Sequence, residues 1–172
     1  TPNDGMIDDN SINNLLSLKY KIQSLDWVHS VVTLLDIPLL DNSEEPLQER
    51  LENFKTLKDE NVDKNRGFRE IITSPVFRNF VISEDGKTSG IIVYIKKIDP
   101  IKDIEKKSKK EIENYRDKIK RQNHQNILEI RDVIKSYEDI GKIHLGGIPM
   151  IADDMMTFIK RDIIVFGLGV LL

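Results

Sequence analysis

The sequence contains no cysteine, which removes several kinds of chemistry at once. A chain without thiols cannot form a disulfide, a thiolate zinc site or a cysteine nucleophile. It also lacks a basic excess, because its net charge at neutral pH is −3. Dedicated nucleic-acid binders gather positive charge on one face, so we expect no nucleic-acid partner. The absence of cysteine leaves the cellular compartment open.

Long apolar runs are also missing, since none reaches the roughly twenty residues that a membrane span needs. The N-terminus, TPNDGMIDDNS, has no basic stretch followed by an apolar one, so it shows no signal peptide. If this domain is exported, we expect its targeting signal to lie outside these residues. Charged residues make up 32% of the 172 positions and apolar residues 39%, as in a globular protein with a hydrated surface.

The spacing of apolar residues predicts an alternation of helices and strands. In chain order we predict a helix (residues 8–25), a strand (27–40), a shorter helix (41–57) and a hairpin (80–95). A long helix (102–139), a short strand (142–146) and a final helix (149–159) follow. The polar residues 58–67 are predicted to form a loop. This order predicts an α+β fold, with helices on one face of a small, mainly antiparallel sheet.

Three of these predictions rest on particular signals. Ser43 is a helix cap in front of the apolar stripe of Leu47, Leu51 and Phe54. Asp85-Gly86 suits a hairpin turn between the runs Phe80–Ser83 and Ile91–Ile95. The long helix contains RQNHQN, where we expect an interruption.

No group of residues points to catalysis, a metal or a cofactor. The three histidines, His29, His124 and His144, are far apart and none pairs with another at helical spacing. Asp153 and Asp154 are adjacent, and adjacent helical residues point about 100° apart. We interpret them as acids that complement the helix macrodipole near its N-terminus. No arrangement of serine, histidine and aspartate has a recognisable spacing, so we predict no enzyme.

Two further stretches have structural interpretations. The sequence GGIP lacks the glycine spacing and the Lys-Ser/Thr of a phosphate loop, so Gly146, Gly147 and Pro149 are predicted to form a strand-to-helix junction. The run KDIEKKSKKEIENYRDKIKRQ mixes both signs of charge, which favours a solvated helix face over an RNA-binding patch.

The last ten residues, Ile163 to Leu172, contain no charge and no polar side chain. They are apolar all round instead of on one stripe, and FGLG has the small residues that are common in membrane helices. We expect them to be the first half of a membrane span.

The final stretch, KIHLGGIPMIADDMMTFIKRDIIVFGLGVLL, resembles a junction in resistance-nodulation-division (RND) exporters of the branch related to MMPL proteins. There, the first large extracytoplasmic loop meets the second transmembrane helix. VISEDGKTSGIIVYIKK and LDWVHSVVTLLDIPLL are similar to other parts of that loop, and the resemblance covers residues 10–172. It implies ferredoxin-like β-α-β-β-α-β porter units with one long helix, over residues 1–160 and without the complete first strand. Residues 161–172 would begin the transmembrane helix, with Asp162 at the membrane boundary.

The resemblance also implies a function. The expected parent is a proton-driven exporter of lipidic or amphipathic molecules in the cytoplasmic membrane of a bacterium, with this domain on the periplasmic side. Its partners would be the membrane and these small molecules, with a homo-oligomer left open and the substrate-binding residues unknown. Two alternatives remain: a soluble α+β binding or scaffold module whose C-terminal helix packs into its core or a dimer interface, and the sensor domain of a single-span membrane protein.

Overall fold

The computed structural model describes residues 1–2, 5–40, 46, 48–49, 53–102 and 104–171. These residues form an α+β fold with four α-helices and a small antiparallel sheet of two strands. In chain order the elements are α1 (Asp9–Gln23), β1 (Val28–Val32), α2 (Lys64–Thr73), β2 (Ile92–Ile95), α3 (Lys109–Lys135) and α4 (Ile148–Leu171). Short 3₁₀ turns cover Leu34–Asp36 and Ile104–Lys106.

The chain divides into two compact units. The first contains Thr1–Lys96 and Val133–Ile143, and the second contains Lys97–Asp132 and His144–Leu172. The core of the first unit consists of aliphatic side chains from α1, the 3₁₀ turn after β1, α2 and the segments around them. Its most deeply buried members are Leu34, Leu35, Leu39, Leu57 and Ile71.

The sheet pairs two strands that lie far apart in the sequence. Val31 of β1 lies opposite Val93 of β2 and Val32 lies opposite Ile92, with an irregularity in the register between Val28 and Ser30. The predicted hairpin is therefore only partly correct. The second run, Ile91–Ile95, pairs with β1 and not with Phe80–Ser83.

The predicted turn at Asp85-Gly86 is present, however. Gly86 has a φ of 67°, which a glycine adopts without strain, and an antiparallel bridge joins Ile82 to Ser89. A Cβ atom at Gly86 would lie 2.8 Å from Cδ1 of Ile72, so the turn packs closely against α2. The pairing around the turn is limited to a single bridge in the described part of the chain.

Helix α2 was missed by the sequence prediction, which assigned residues 58–67 to a loop. The helix begins inside that stretch because Asp63 caps it: the carboxylate accepts hydrogen bonds from the backbone N–H groups of Asn65 and Arg66. Much of the predicted helix over residues 41–57, including Ser43, Leu47 and Leu51, lies outside the described residues. Its predicted end is wrong, because residues 53–57, including Phe54, are not helical and an isolated antiparallel bridge joins Lys55 to Leu39.

The long helix is confirmed, but without the expected interruption, because α3 continues through RQNHQN. Ser108 and Glu111 form a capping box at its start, with the Ser108 N–H donating to Glu111 and the Glu111 N–H donating to the Ser108 hydroxyl. The hydrogen bonds that the Ser108 N–H and hydroxyl donate to the Glu111 carboxylate, together with Lys107, lower the pKa of Glu111 to about 2. The predicted strand over residues 142–146 is wrong, since these residues have no regular structure beside the bridge that joins Pro2 to Gly141.

A charged network supports the turn that follows β1. Thr33 and Asp36 form a capping box, and Asp36 also accepts hydrogen bonds from the ammonium groups of Lys19 and Lys58. Burial would by itself raise the pKa of Asp36. The bonds from Lys19, Thr33 and Lys58 outweigh burial and lower the pKa below its ordinary value.

Replacing Asp36 by asparagine is expected to lower the free energy of unfolding by about 1–3 kcal/mol at neutral pH, because its charge-assisted hydrogen bonds are lost. Since the folded pKa is depressed, this stabilisation is complete above the unfolded value of about 3.9 and disappears as the pH falls through the folded pKa. Urea unfolding at a series of pH values measures the effect. Glu60→Gln, which changes an exposed carboxyl group of the same unit, is the control and should leave the acid limb unchanged.

Candidate functional site: the anchored helix α4

Helix α4 begins at a sharp change of chain direction. Gly147 has a φ of 115°, a conformation that favours glycine, and its carbonyl accepts a hydrogen bond from the Ile151 N–H at 3.1 Å. Pro149 lies in the first turn, where a missing backbone N–H is tolerated. Gly146 and Gly147 thus lie directly before α4, and Pro149 is its second residue, while residues 142–146 in front of them form no strand.

A buried carboxylate joins the start of α4 to α3 within the second unit. Asp153 is only 8% exposed, and its two oxygens lie 2.9 and 3.1 Å from Nδ1 of His124, which donates to them. One turn earlier, the side-chain amide of Asn123 donates to the Pro149 carbonyl at 2.9 Å. The carbonyl and the carboxylate therefore fix the first two turns of α4 against one stretch of α3.

A second ion pair joins the same two helices. Nη2 of Arg131 donates to both oxygens of Asp154 at 2.8 and 3.0 Å, with side chains that are partly exposed. Asp153 and Asp154 thus point to different partners, as the 100° between adjacent helical residues requires. Their interpretation as macrodipole acids is wrong, because the first turn of α4 contains no acid and the dipole effect fades beyond it.

Beyond Asp154, the described part of α4 is exposed to solvent. Every residue from Met155 to Val170 is exposed. The segment Ile163–Val170, which we call the apolar tip, has no polar side chain, and each of its large side chains is more than half exposed. The helix continues without a break across residues 160 and 161, where the sequence placed a domain boundary.

The other predicted site residues are dispersed. Asp162 is exposed, and its carboxylate makes no hydrogen bond or ion pair with any other described residue. His29 and His144 are exposed as well, and among the carboxylates that the structure describes, one faces a histidine: that of Asp153, beside His124. Within the described residues, no three histidine or acidic side chains come together as metal ligands.

No helix in the described part of the chain combines the length and the apolar character that crossing a membrane requires. The sequence is also without a match among protein-family models, curated proteins and solved structures.

The pairing of His124 with Asp153 was not predicted. The two residues are 29 positions apart, and no local spacing connects them. The pattern of the helix favoured the opposite result: Asp153 lies opposite the apolar residues Ile151 and Met155, where an acid is expected to face solvent.

Proposed function

We propose that this chain is the extracytoplasmic porter domain of a proton-driven exporter of the RND superfamily, in its MMPL-like branch. The exporter would lie in the cytoplasmic membrane of a bacterium and move lipid-like or amphipathic molecules. The observation that carries the proposal is the apolar tip of α4, which is exposed on every side. The sequence resemblance supplies the family.

A membrane is the partner that best fits this segment. A helix that packs on a protein surface needs one apolar stripe, whereas a helix that is apolar all round needs apolar surroundings on all sides. The tip rises about 12 Å at 1.5 Å per residue. That length reaches partway into a hydrocarbon layer about 30 Å thick. Lys160 and Arg161 lie just before the tip, separated from it by Asp162, where long cationic side chains can extend to the headgroups.

The contacts between α3 and α4 suggest how such a domain would respond to the membrane. His124 with Asp153, and Arg131 with Asp154, connect α4 to α3 by side chains that are close to the start of α4. A movement of the apolar tip would therefore be passed to α3 as a rigid-body movement. In an exporter of this class, such movements open and close a cleft for the substrate.

The proposal includes a ferredoxin-like topology for this domain. A ferredoxin-like β-α-β-β-α-β unit has four strands, and the antiparallel pair of β1 and β2, with α1 packed on β1, is compatible with part of it. The unit would require further strands beside this pair.

The membrane contact is tested by flotation of the purified chain with phosphatidylcholine vesicles. We expect the wild-type chain to float with the vesicles and the tip variant Ile163→Asn/Phe166→Asn/Val170→Asn to stay in the dense fraction. The control, Phe54→Asn/Val76→Asn/Phe80→Asn, changes the same number of exposed apolar side chains elsewhere and should float like the wild type.

Flotation of the tip variant, or sedimentation of the wild type, would contradict the membrane contact. If the wild type sediments and light scattering shows an oligomer that the tip variant cannot form, the soluble scaffold with a helical dimer interface replaces the proposal.

The export function is tested separately in cells. Cells that carry the intact native gene should accumulate less of a fluorescent lipophilic dye than cells without it, and the difference should vanish when the proton gradient is dissipated. Equal accumulation with and without the gene would leave a membrane-attached domain with another role.

A further inference from the structure

A cationic segment accompanies α4 in the second unit. Residues 97–121, KIDPIKDIEKKSKKEIENYRDKIKR, contain ten basic and six acidic residues, a net charge of +4. Because the whole chain carries −3, the remaining residues together carry −7. The segment is thus a local excess of positive charge on an acidic protein, which is the arrangement that steers a chain toward an anionic surface.

This positive charge is available to a partner. All ten basic side chains of the cationic segment are exposed. Within the segment, Lys107 pairs with Glu111 at 3.2 Å and Lys120 pairs with Asp117 at 3.5 Å. The ammonium groups of Lys102, Lys109 and Lys110 form no hydrogen bond or ion pair with any other residue that the structure describes.

Two of these lysines lie at a position that destabilises helix α3. Lys109 and Lys110 are the first two residues of α3, where cations oppose the helix macrodipole. The capping box of Ser108 and Glu111 helps to start the helix in spite of them. Residues that break a local rule without a structural gain are often retained for function.

Apolar side chains lie between the lysines. Ile98 and Ile104 are about half exposed, although nothing in a solvated charged face calls for isoleucine there. Exposed aliphatic groups next to lysines are typical of segments that lie on a membrane surface, where the lysines meet headgroups and the aliphatic groups enter the interface. Proteins that bind single-stranded nucleic acid instead stack bases on aromatic rings. Tyr115, the one aromatic residue of the segment, donates its hydroxyl to the Asp99 carbonyl.

We propose that the cationic segment, residues 97–121, binds the anionic phospholipid headgroups of the membrane that α4 contacts. The inference rests on the proposed membrane role of α4 and adds the lipid class that the domain recognises. The apolar tip supplies attraction to any bilayer, and the cationic segment supplies selectivity for a negatively charged one.

The test compares vesicles of phosphatidylcholine alone with vesicles that also contain phosphatidylglycerol, using the purified chain. We expect tighter binding to the anionic vesicles, and about 1 M salt should remove this preference because it shortens the Debye length to about 3 Å. Lys102→Gln/Lys109→Gln/Lys110→Gln should weaken binding to anionic vesicles roughly tenfold to hundredfold and leave binding to phosphatidylcholine unchanged.

A matched control separates local charge from net charge. Lys87→Gln/Lys135→Gln/Lys142→Gln removes three exposed lysines of the first unit and changes the net charge by the same amount. It should bind anionic vesicles within about twofold of the wild type, because it leaves every lysine of the cationic segment in place.

Equal binding of the wild type to both kinds of vesicle would overturn the lipid selectivity and leave the membrane contact of the tip intact. A loss of binding in the tip variant on both vesicles, with the lysine variant affected only on anionic ones, supports both. If the lysine variant loses affinity for a short RNA by a larger factor than for anionic vesicles, the segment is a nucleic-acid site and the inference is wrong.

Discussion

Replacing Leu34 by alanine is expected to lower the free energy of unfolding of the first unit by about 2–5 kcal/mol, the usual range for a fully buried leucine. Leu34 is 0% exposed and lies in the 3₁₀ turn that connects β1 to the rest of the core. The turn is held by the hydrogen bonds of Thr33 and Asp36, so the surrounding chain cannot collapse easily into the space that the substitution leaves.

Equilibrium unfolding in urea, followed by the fluorescence of Trp27, measures this loss. The slope of the unfolding free energy against urea should stay unchanged, which shows that the substitution alters stability and not the surface exposed on unfolding. Val76→Ala in the same unit is the control, because a change of an exposed residue stays within about 0.5 kcal/mol. A Leu34→Ala midpoint that matches the control would mean that the core is not centred on this turn.

The fold was predictable where the signal was local. Helix α1 follows from its cap at Asp8 and its spaced aliphatic residues, and the turn at Gly86 follows from the Asp-Gly pair. The partner of β2 was not predictable in this way, because pairing Val31 with Val93 depends on tertiary packing across 62 residues. Proximity in the sequence favoured a hairpin between Phe80–Ser83 and Ile91–Ile95. In the folded chain β2 pairs with β1 instead.

Helix α2 shows a different limit. Asp63 is a residue type that commonly caps a helix. The first turn that follows it is polar, and the apolar positions come later, at Phe68, Ile71 and Ile72. Residues 58–67, taken alone, contain no apolar residues at helical spacing, so they were predicted to form a loop. For the candidate site, the sequence singled out the apolar tip and the glycine junction, while the contacts of Asp153 and Asp154 required knowledge of which helix lies beside them.

Replacing Asp153 by alanine is expected to release the start of α4 from α3. The carboxylate is buried, and its loss removes the hydrogen bond from Nδ1 of His124. Because the His124 side chain is half exposed and water can take the place of Asp153, we expect a cost of about 1–1.5 kcal/mol in the second unit. Asp154→Ala removes the more exposed pair with Arg131, and exposed ion pairs contribute at most about 1 kcal/mol. The two adjacent residues thus form a matched comparison on one helix.

Hydrogen exchange of the amides in residues 148–156 measures the release directly. We expect faster exchange in Asp153→Ala than in Asp154→Ala, and a double-mutant cycle with His124→Ala should assign most of the difference to the contact of His124 with Asp153. Equal exchange in the two variants would show that the buried carboxylate does not anchor the helix. On the proposed export function, Asp153→Ala in the intact native gene should keep the protein in the membrane and reduce dye export, because the apolar tip would be retained while its connection to α3 would be lost.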